Sequence, residues 1–191
     1  MQIAADKTRA YYSQSPSNFV RHLNIGEYPM FFSVDVRPTS SLGSAINQEF
    51  FTYWSELAAA AGGTPDRKSF DPSVARRSLP YISLIEKTGD DYRIRLTGTE
   101  TDRVLGFVGR GRLLSDLPPV FAQKWRPIFH HVIEHNQPFL YHNRISRPEF
   151  KPVEKEVICV PFVQPATPEA EAGDSCAPTL IMSCFDICLF D

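Results

Sequence analysis

The stretch Tyr92-Arg93-Ile94-Arg95-Leu96-Thr97-Gly98-Thr99 alternates apolar and polar side chains until it reaches a glycine. A period of two residues is typical of a β-strand with one buried face. Thr88-Gly89-Asp90, just before it, has the residues of a tight turn, and residues 81–86 form a second apolar run. We therefore predict an antiparallel hairpin whose apolar face points into the core. Gly98 can then free the backbone to leave the strand, and Thr99 can cap a short helix that ends at Leu105-Gly106.

The chain from residue 47 onward supplies further helices and strands. Apolar side chains at helical spacing predict a helix over residues 47–61, capped by Asn47 and ended by Gly62-Gly63. We expect a short helix at 73–78 and a longer amphipathic helix from about 119, split or kinked by Pro127. Three more strands are predicted at residues 139–146, 156–163 and 179–187, and the last two are apolar on both faces, as central strands are. The result is an α+β fold with five strands after the first helix.

A single domain accounts for this pattern. At 191 residues the chain is long enough for one domain with tails. We place an N-terminal extension at residues 1–46, with one plausible strand at 30–36, and the domain itself at residues 47–191. Residues 164–178 are acidic, rich in proline and poor in bulky apolar side chains, so we expect a mobile surface loop.

Composition and charge exclude several classes of function. The net charge of −2 gives no positive field for phosphates, so nucleic acid is not an expected partner. The chain has neither a signal peptide nor a run of about 18 apolar residues, and we expect a cytoplasmic protein that does not enter a membrane. Its four cysteines form no CxxC pair, so reduced thiols are expected at Cys159, Cys176, Cys184 and Cys188. Cys184 and Cys188, about 13 Å apart on an extended strand, cannot bond to each other.

Several short motifs resemble a bacterial family of small stand-alone PAS-domain proteins. They are Phe51-Thr52-Tyr53-Trp54, Phe70-Asp71-Pro72, Leu79-Pro80-Tyr81-Ile82-Ser83-Leu84, the 92–99 stretch, and Gly106 with Gly109-Arg110. The order of two strands, short helices, a longer helix and three strands is also that of a PAS domain, and the resemblance covers about residues 50–147. It implies a PAS-like five-stranded antiparallel sheet with helices packed on one face, around a pocket for a small molecule or cofactor.

The hairpin and the longer helix supply candidate walls for such a pocket. A mostly apolar cavity with few polar groups suits a small ligand, and the same side chains could instead fill a plain core. The candidate pocket residues are Tyr92, Ile94, Leu96, Phe121, Trp125 and Phe129. The cofactor is unknown, and we expect an absorbance spectrum without haem or flavin.

Two pairs of polar side chains are candidate binding sites. His131 and His135 share a helix face beside Glu134, which could bind a divalent metal or a haem, but without an HExxH pattern or a third ligand a solvated helix end is favoured. Arg93 and Arg95 could bind an anion, but pairing with Glu86 or with a dimer partner is favoured. No metal ligand is assigned.

No nucleophile elbow, carboxylate cluster or activated cysteine is recognisable, and residues 109–111, Gly-Arg-Gly, lack the third glycine of a nucleotide loop. We assign no catalytic residue and expect no enzyme activity.

The leading hypothesis is a sensory or regulatory module that binds an unidentified small molecule. No kinase, cyclase or DNA-binding segment accompanies it, so we expect it to signal through a separate protein. The alternative is a ligand-free dimerisation or protein-interaction module, in which residues 1–46 and the first helix bind a twin. A cone-shaped α+β enzyme, with a histidine and a carboxylate in a polar cavity, is a third hypothesis.

Overall fold

The structure is a computed structural model, and it describes residues 19–25, 28–105, 109–147, 150–164 and 179–188. Three α-helices are present in these ranges: α1 (Ala45–Ala61), α2 (Thr99–Leu105) and α3 (Pro119–His135). The strands are β1 (Phe19–Ile25), β2 (Tyr28–Arg37), β3 (Ile82–Thr88), β4 (Asp91–Thr97), β5 (Phe139–Arg147), β6 (Phe150–Phe162) and β7 (Leu180–Cys188). Short 3-10 helices lie at Thr39–Ser41, Arg67–Ser69, Leu79–Tyr81 and Leu114–Asp116.

The strands form one antiparallel sheet in the order β1-β2-β5-β6-β7-β3-β4. The five strands predicted after the first helix are all present. The predicted sheet of five strands is nevertheless too small, because β1 and β2 extend it to seven within the described residues. β2 contains the strand expected at 30–36, whereas β1 was not expected. Residues 165–178 of the predicted mobile loop lie outside the described residues.

The helices cover both faces of the sheet, so the prediction that they pack on one face is wrong. α3 packs on the face that carries Val157 and Cys159 of β6, which we call the inner face. α1 packs Phe50 and Trp54 on the opposite, outer face, where Ile158 and other alternate residues of β6 and β7 lie. This arrangement explains why β6 and β7 are apolar on both sides, as predicted.

The first helix begins earlier than expected, at Ala45. Ser44 is its N-cap, and the Ser44 hydroxyl accepts from Asn47 N at 3.2 Å, so the predicted cap by Asn47 is wrong. Asn47 lies in the first turn and is fully buried. The helix does end at Gly62, whose φ of 66° is the left-handed conformation that glycine adopts without strain.

Two further helix predictions need correction. Residues 73–78 form turns instead of a helix, because i to i+3 bonds such as Val74 N to Asp71 O dominate there. α3 runs without a break through Pro127, so the helix is not split there, and the alternative of a kink stays a prediction. A proline removes only one backbone donor, and the core contacts of Ile128 and Phe129, directly after it, hold the helix on the sheet.

The β3–β4 hairpin forms as predicted, with Gly89 in its turn at a φ of 58°. The register contains a bulge: Ile85 pairs with Ile94, but Leu84 pairs with Leu96, which leaves Arg95 as an extra residue. The bulge reverses the alternation, so Leu96 points to the outer face and is 45% exposed. The prediction that Leu96 faces the core beside Ile94 is therefore wrong.

The bulge predicts opposite outcomes for two neighbouring apolar residues. We expect Ile94→Ala to lower the free energy of unfolding by about 3 kcal/mol, because it empties a buried site. Leu96→Ala should cost less than about 1 kcal/mol, because nearly half of that side chain is already in water. Urea unfolding of both variants checks this, and equal losses would show that the alternation continues unbroken to residue 96.

Candidate functional site

A cavity of about 90 Å³ lies between the inner face and the helices α2 and α3. Its apolar wall comes from both the sheet and α3. Aromatic rings dominate that wall: the Phe121 and Trp125 ring centres are 5.1 Å apart, and those of Trp125 and Phe129 are 6.4 Å apart. The apolar lining includes Ile85, Ile94, Phe121, Trp125, Phe129 and Phe185.

The structure brings four of the six predicted pocket residues to this cavity: Ile94, Phe121, Trp125 and Phe129. Tyr92 is buried next to them, with its ring 5.5 Å from the Phe129 ring, but it does not line the cavity. Leu96 lies on the other side of the sheet. Ligand binding by these residues stays a prediction.

Two lysines that were not predicted also line the cavity. Lys124 comes from α3, and its ammonium group lies 5.9 Å from the centre of the Tyr141 ring. Lys155 comes from β6, is only 6% exposed, and lies 5.2 Å from the centre of the Phe185 ring. Burial, and after it the charge of Lys155, lowers the pKa of Lys124 to about 7. The site therefore combines apolar walls with positive charge.

Three oxygen atoms around the cavity have no hydrogen-bond partner in the part of the chain that the structure describes. They are Thr97 Oγ1, Thr101 Oγ1 and Asn143 Oδ1, and each belongs to a residue of the lining. Thr101 is 7% exposed and Asn143 is 3% exposed. Buried polar atoms normally have a partner, because leaving one without costs about 1–3 kcal/mol. A bound molecule could supply those partners.

The sequence carried a signal for one of the two lysines. Lys124 stands three residues after Phe121 and one before Trp125, so it falls on the apolar stripe of α3. A cation on a buried stripe is a candidate site residue. Lys155 gave no such signal, because the run Glu154-Lys155-Glu156 is typical of an exposed strand end.

The two histidines of the helix end pack against each other. The His131 and His135 rings are stacked with centres 4.1 Å apart, and His131 also contacts the Phe139 ring. Burial, followed by the nearby His135, lowers the pKa of His131. Among the described residues, no group of three or more histidine, cysteine, aspartate or glutamate side chains is placed to hold a metal ion.

Arg95 of β4 makes the ion pair that was favoured, whereas Arg93 makes a contact that was not predicted. Arg95 pairs with Glu86 at 2.8 Å, and Arg93 donates to the backbone oxygen of Gly111 at 3.2 Å. The loop at Gly111 also bonds the backbone of β4, since Gly111 N donates to Ile94 O at 2.7 Å. The Gly-Arg-Gly segment thus covers the edge of the sheet.

Cys159 and Cys184 are buried free thiols, and burial raises the pKa of both, that of Cys159 to about 12. Neither has the exposed, low-pKa character of a reactive cysteine. Cys176 and the side chain of Cys188 lie outside what the structure describes.

A family model described as PAS domain matches residues 43–173, which is more than half of the chain. The chain belongs to the PAS-domain family. The predicted resemblance and the α+β class are thereby confirmed, and the match begins just before α1 of this PAS domain. A search of curated proteins found no match. PAS domains are in general sensory and regulatory modules without catalytic activity. None of the described helices is long and apolar enough to cross a bilayer.

Proposed function

We propose that this PAS domain is a non-catalytic sensor that binds a small molecule in the cavity under α2 and α3. The observation that carries the proposal is the cavity itself, in which an aromatic wall faces three buried oxygen atoms that have no hydrogen-bond partner among the described residues. If this region were only part of the hydrophobic core, apolar atoms alone would line it. Specific binding sites instead combine apolar walls with a few placed polar groups.

The position of the cavity suggests how the binding of a ligand could change a surface that another protein recognises. Its lining includes Thr101, Val104 and Leu105 of α2, a helix of only seven residues. So short a helix has little stability of its own and depends on its packing. A ligand that contacts α2 would hold it against the sheet, and a separate protein that recognises the ordered surface would receive the signal.

The enzyme alternative requires a histidine and a carboxylate that converge in the cavity. None of the described lining residues is a histidine, an aspartate or a glutamate. The interaction-module alternative requires the apolar side of α1 to bind a partner. Phe50 and Trp54 of α1 instead pack on the chain's own sheet. A homodimer stays a prediction and would use another face.

Mass spectrometry of small molecules extracted from the purified protein tests the proposal. We expect one compound at near-equal stoichiometry in the native protein. Ser183 lines the cavity from β7 and is not fully buried, so Ser183→Leu should occupy the space and abolish retention. Ser73→Leu, the same change at an exposed turn, should retain the compound.

Circular dichroism confirms that both variants are folded before the comparison is made. If the native protein yields no compound, binds none in a thermal-shift screen and forms a stable dimer by light scattering, the interaction-module alternative replaces the sensor. Retention by Ser183→Leu would place the binding site elsewhere.

A further inference from the structure

The β-bulge in β4 turns one hydroxyl side chain toward the cavity. Regular alternation after Ile94 would point Leu96 inward and Thr97 outward. The extra residue, Arg95, reverses this order, so Leu96 lies on the outer face and Thr97 lines the cavity. Bulges are common next to functional sites, where they change the direction of a side chain. The irregularity of β4 therefore places a polar residue on this wall where a regular strand would place an apolar one.

Two serines continue the polar surface that Thr97 begins. Ser83 of β3 pairs with Thr97 of β4 on one side and with Ser183 of β7 on the other. All three residues line the cavity, and Ser83 is 9% exposed. The buried face of a sheet ordinarily carries apolar side chains. Here three neighbouring strands instead supply a row of hydroxyl residues, Ser83, Thr97 and Ser183, which we call the hydroxyl row.

Thr101 of α2 adds a fourth hydroxyl residue to the same cavity, and it is 7% exposed. A threonine in a helix often bonds its hydroxyl group to the carbonyl oxygen three or four residues before it. Thr101 Oγ1 makes no such bond, and like Thr97 Oγ1 it has no hydrogen-bond partner among the described residues. A ligand that bonds these two atoms would remove the cost of leaving them buried and unpaired.

An uncharged ligand suits the groups around the hydroxyl row. The charged residues of the described lining are Lys124 and Lys155. Both have further interactions within the chain besides their contacts with aromatic rings, so neither requires an anionic ligand. The hydroxyl row and Thr101 carry no charge that could balance an ion. An ionised group is costly to remove from water without such a balance, whereas a hydroxyl or carbonyl group needs only the hydrogen bonds that these residues offer.

The aromatic wall and the volume restrict the rest of the molecule. Phe121, Trp125 and Phe129 offer flat apolar faces, which favour a ring that stacks on them. The volume of about 90 Å³ has room for roughly six to nine water-sized groups, since one water needs about 10–15 Å³. A single ring with one short substituent fits this space, whereas a nucleotide does not.

We propose that the ligand is a small uncharged ring compound with a hydroxyl or carbonyl group, whose oxygen binds Thr97 and Thr101 and whose ring lies against the aromatic wall. This proposal rests on the proposed sensor function and deepens it by naming the ligand class and two residues that select it. Each threonine hydroxyl group can donate a hydrogen bond to the ligand oxygen. Because Thr101 belongs to α2, its bond to the ligand holds that helix in the way the sensor function requires.

Calorimetric titration of the dialysed protein with matched pairs of uncharged probes tests the proposal. Phenol and toluene have nearly the same size and differ by a hydroxyl group, and acetophenone and α-methylstyrene make the same comparison for a carbonyl group. We expect at least one oxygen-bearing probe to bind at least about tenfold more tightly than its hydrocarbon match. Benzoate, which is charged at pH 7, should bind at least about tenfold more weakly than that probe.

Threonine-to-valine variants locate the effect, because valine keeps the shape of the side chain and removes its hydroxyl group. In Thr97→Val and Thr101→Val the preference for the oxygen-bearing probe should fall to less than about threefold. Neither variant should melt at a lower temperature than the native protein, because each loses a buried oxygen that has no partner among the described residues. Thr88→Val, at an exposed strand end outside the described lining, should keep the full preference.

The outcomes separate this proposal from the sensor function. The ligand class is wrong, while the sensor stands, if each hydrocarbon binds as tightly as its match, if benzoate binds more tightly than both oxygen-bearing probes, or if the preference survives in both cavity variants. Earlier melting of both variants would show that the two hydroxyl groups already have partners in the chain, which also contradicts the proposal.

If no probe binds, the compound extracted from the native protein decides between the two. An uncharged ring compound with a hydroxyl or carbonyl group supports the proposal, and any other compound contradicts it and leaves the sensor in place. If no probe binds and extraction yields nothing, the sensor function itself is wrong.

Discussion

Replacement of Gly98 by alanine is expected to lower the free energy of unfolding by about 3 kcal/mol or more. A Cβ atom at residue 98 would lie 2.3 Å from the backbone oxygen of Pro80 and 2.4 Å from that of Leu79. Both oxygens belong to the 3-10 helix that leads into β3, so neither can turn away as a flexible side chain would. Gly98 N also donates to Ile82 O at 2.7 Å, which fixes the end of β4 against the start of β3.

Gly63→Ala is the matched control, measured by urea unfolding under the same conditions. A Cβ atom at Gly63 would meet no atom of the described residues within 4 Å, and Gly63 has no positive φ. We expect its stability to change by no more than about 0.5 kcal/mol. If both variants unfold at similar urea concentrations, the approach of residues 79–80 to Gly98 is not a rigid contact.

Gly98 also shows that the sequence pattern of one segment does not reveal its contacts with a distant segment. The sequence indicated a glycine that frees the chain to leave the strand, and the chain does turn into α2 there. The physical reason is different, because Gly98 is not among the described glycines with a positive φ. What requires glycine is the close approach of a backbone segment 18 residues away, as the distance from Pro80 shows. Periodicity in one segment contains no information about such a neighbour.

The sequence likewise predicted part of the candidate site and missed the rest. The aromatic stripe of α3 and the alternation of β4 correctly placed Ile94, Phe121, Trp125 and Phe129 around one space. The bulge at Arg95 escaped prediction because it depends on pairing with β3. A buried charge also escapes prediction, since charged residues in a strand ordinarily indicate exposure.

Lys155 and Glu156 show this most clearly, because they are adjacent, both charged and both buried on opposite faces of the sheet. Lys155 lines the inner cavity, whereas Glu156 lies under the start of α1 and is 1% exposed. One Glu156 carboxylate oxygen accepts from Gly43 N at 2.8 Å, and the other accepts from Ser44 N at 2.9 Å and from Asn47 Nδ2 at 3.1 Å. The carboxylate thus binds the backbone donors where α1 begins.

We expect Glu156→Gln to lower the free energy of unfolding by about 2–3 kcal/mol at pH 7. A glutamine has one oxygen and one nitrogen in place of two acceptors. Whichever way its amide turns, its nitrogen faces the backbone N–H of either Gly43 or Ser44. That backbone donor loses its acceptor, and the amide N–H that faces it finds none. Urea unfolding followed by tryptophan fluorescence measures the loss.

Glu154→Gln is the matched control, on the same strand two residues away. Glu154 is partly exposed and lies 3.7 Å from Arg144, so its loss should cost less than about 1 kcal/mol. An equal loss in the two variants would mean that the contacts of Glu156 at the start of α1 add nothing beyond a surface ion pair.

The stability difference between the native protein and Glu156→Gln should also depend on pH. Burial alone would raise the pKa of Glu156, but the hydrogen bonds from Gly43, Ser44 and Asn47, together with His142 at 3.4 Å, outweigh it and hold this pKa below its ordinary value of 4.5. An acid whose pKa is lowered by folding adds stability above its unfolded pKa and loses it as the pH falls through its folded pKa. The difference should therefore be present above pH 4.5 and shrink as the pH falls below it. Asp71 and Asp91, whose pKa values are also lowered, titrate in both proteins and cancel. A difference that stays unchanged to pH 3 would show that the geometry of the two oxygens, and not their charge, stabilises the start of α1.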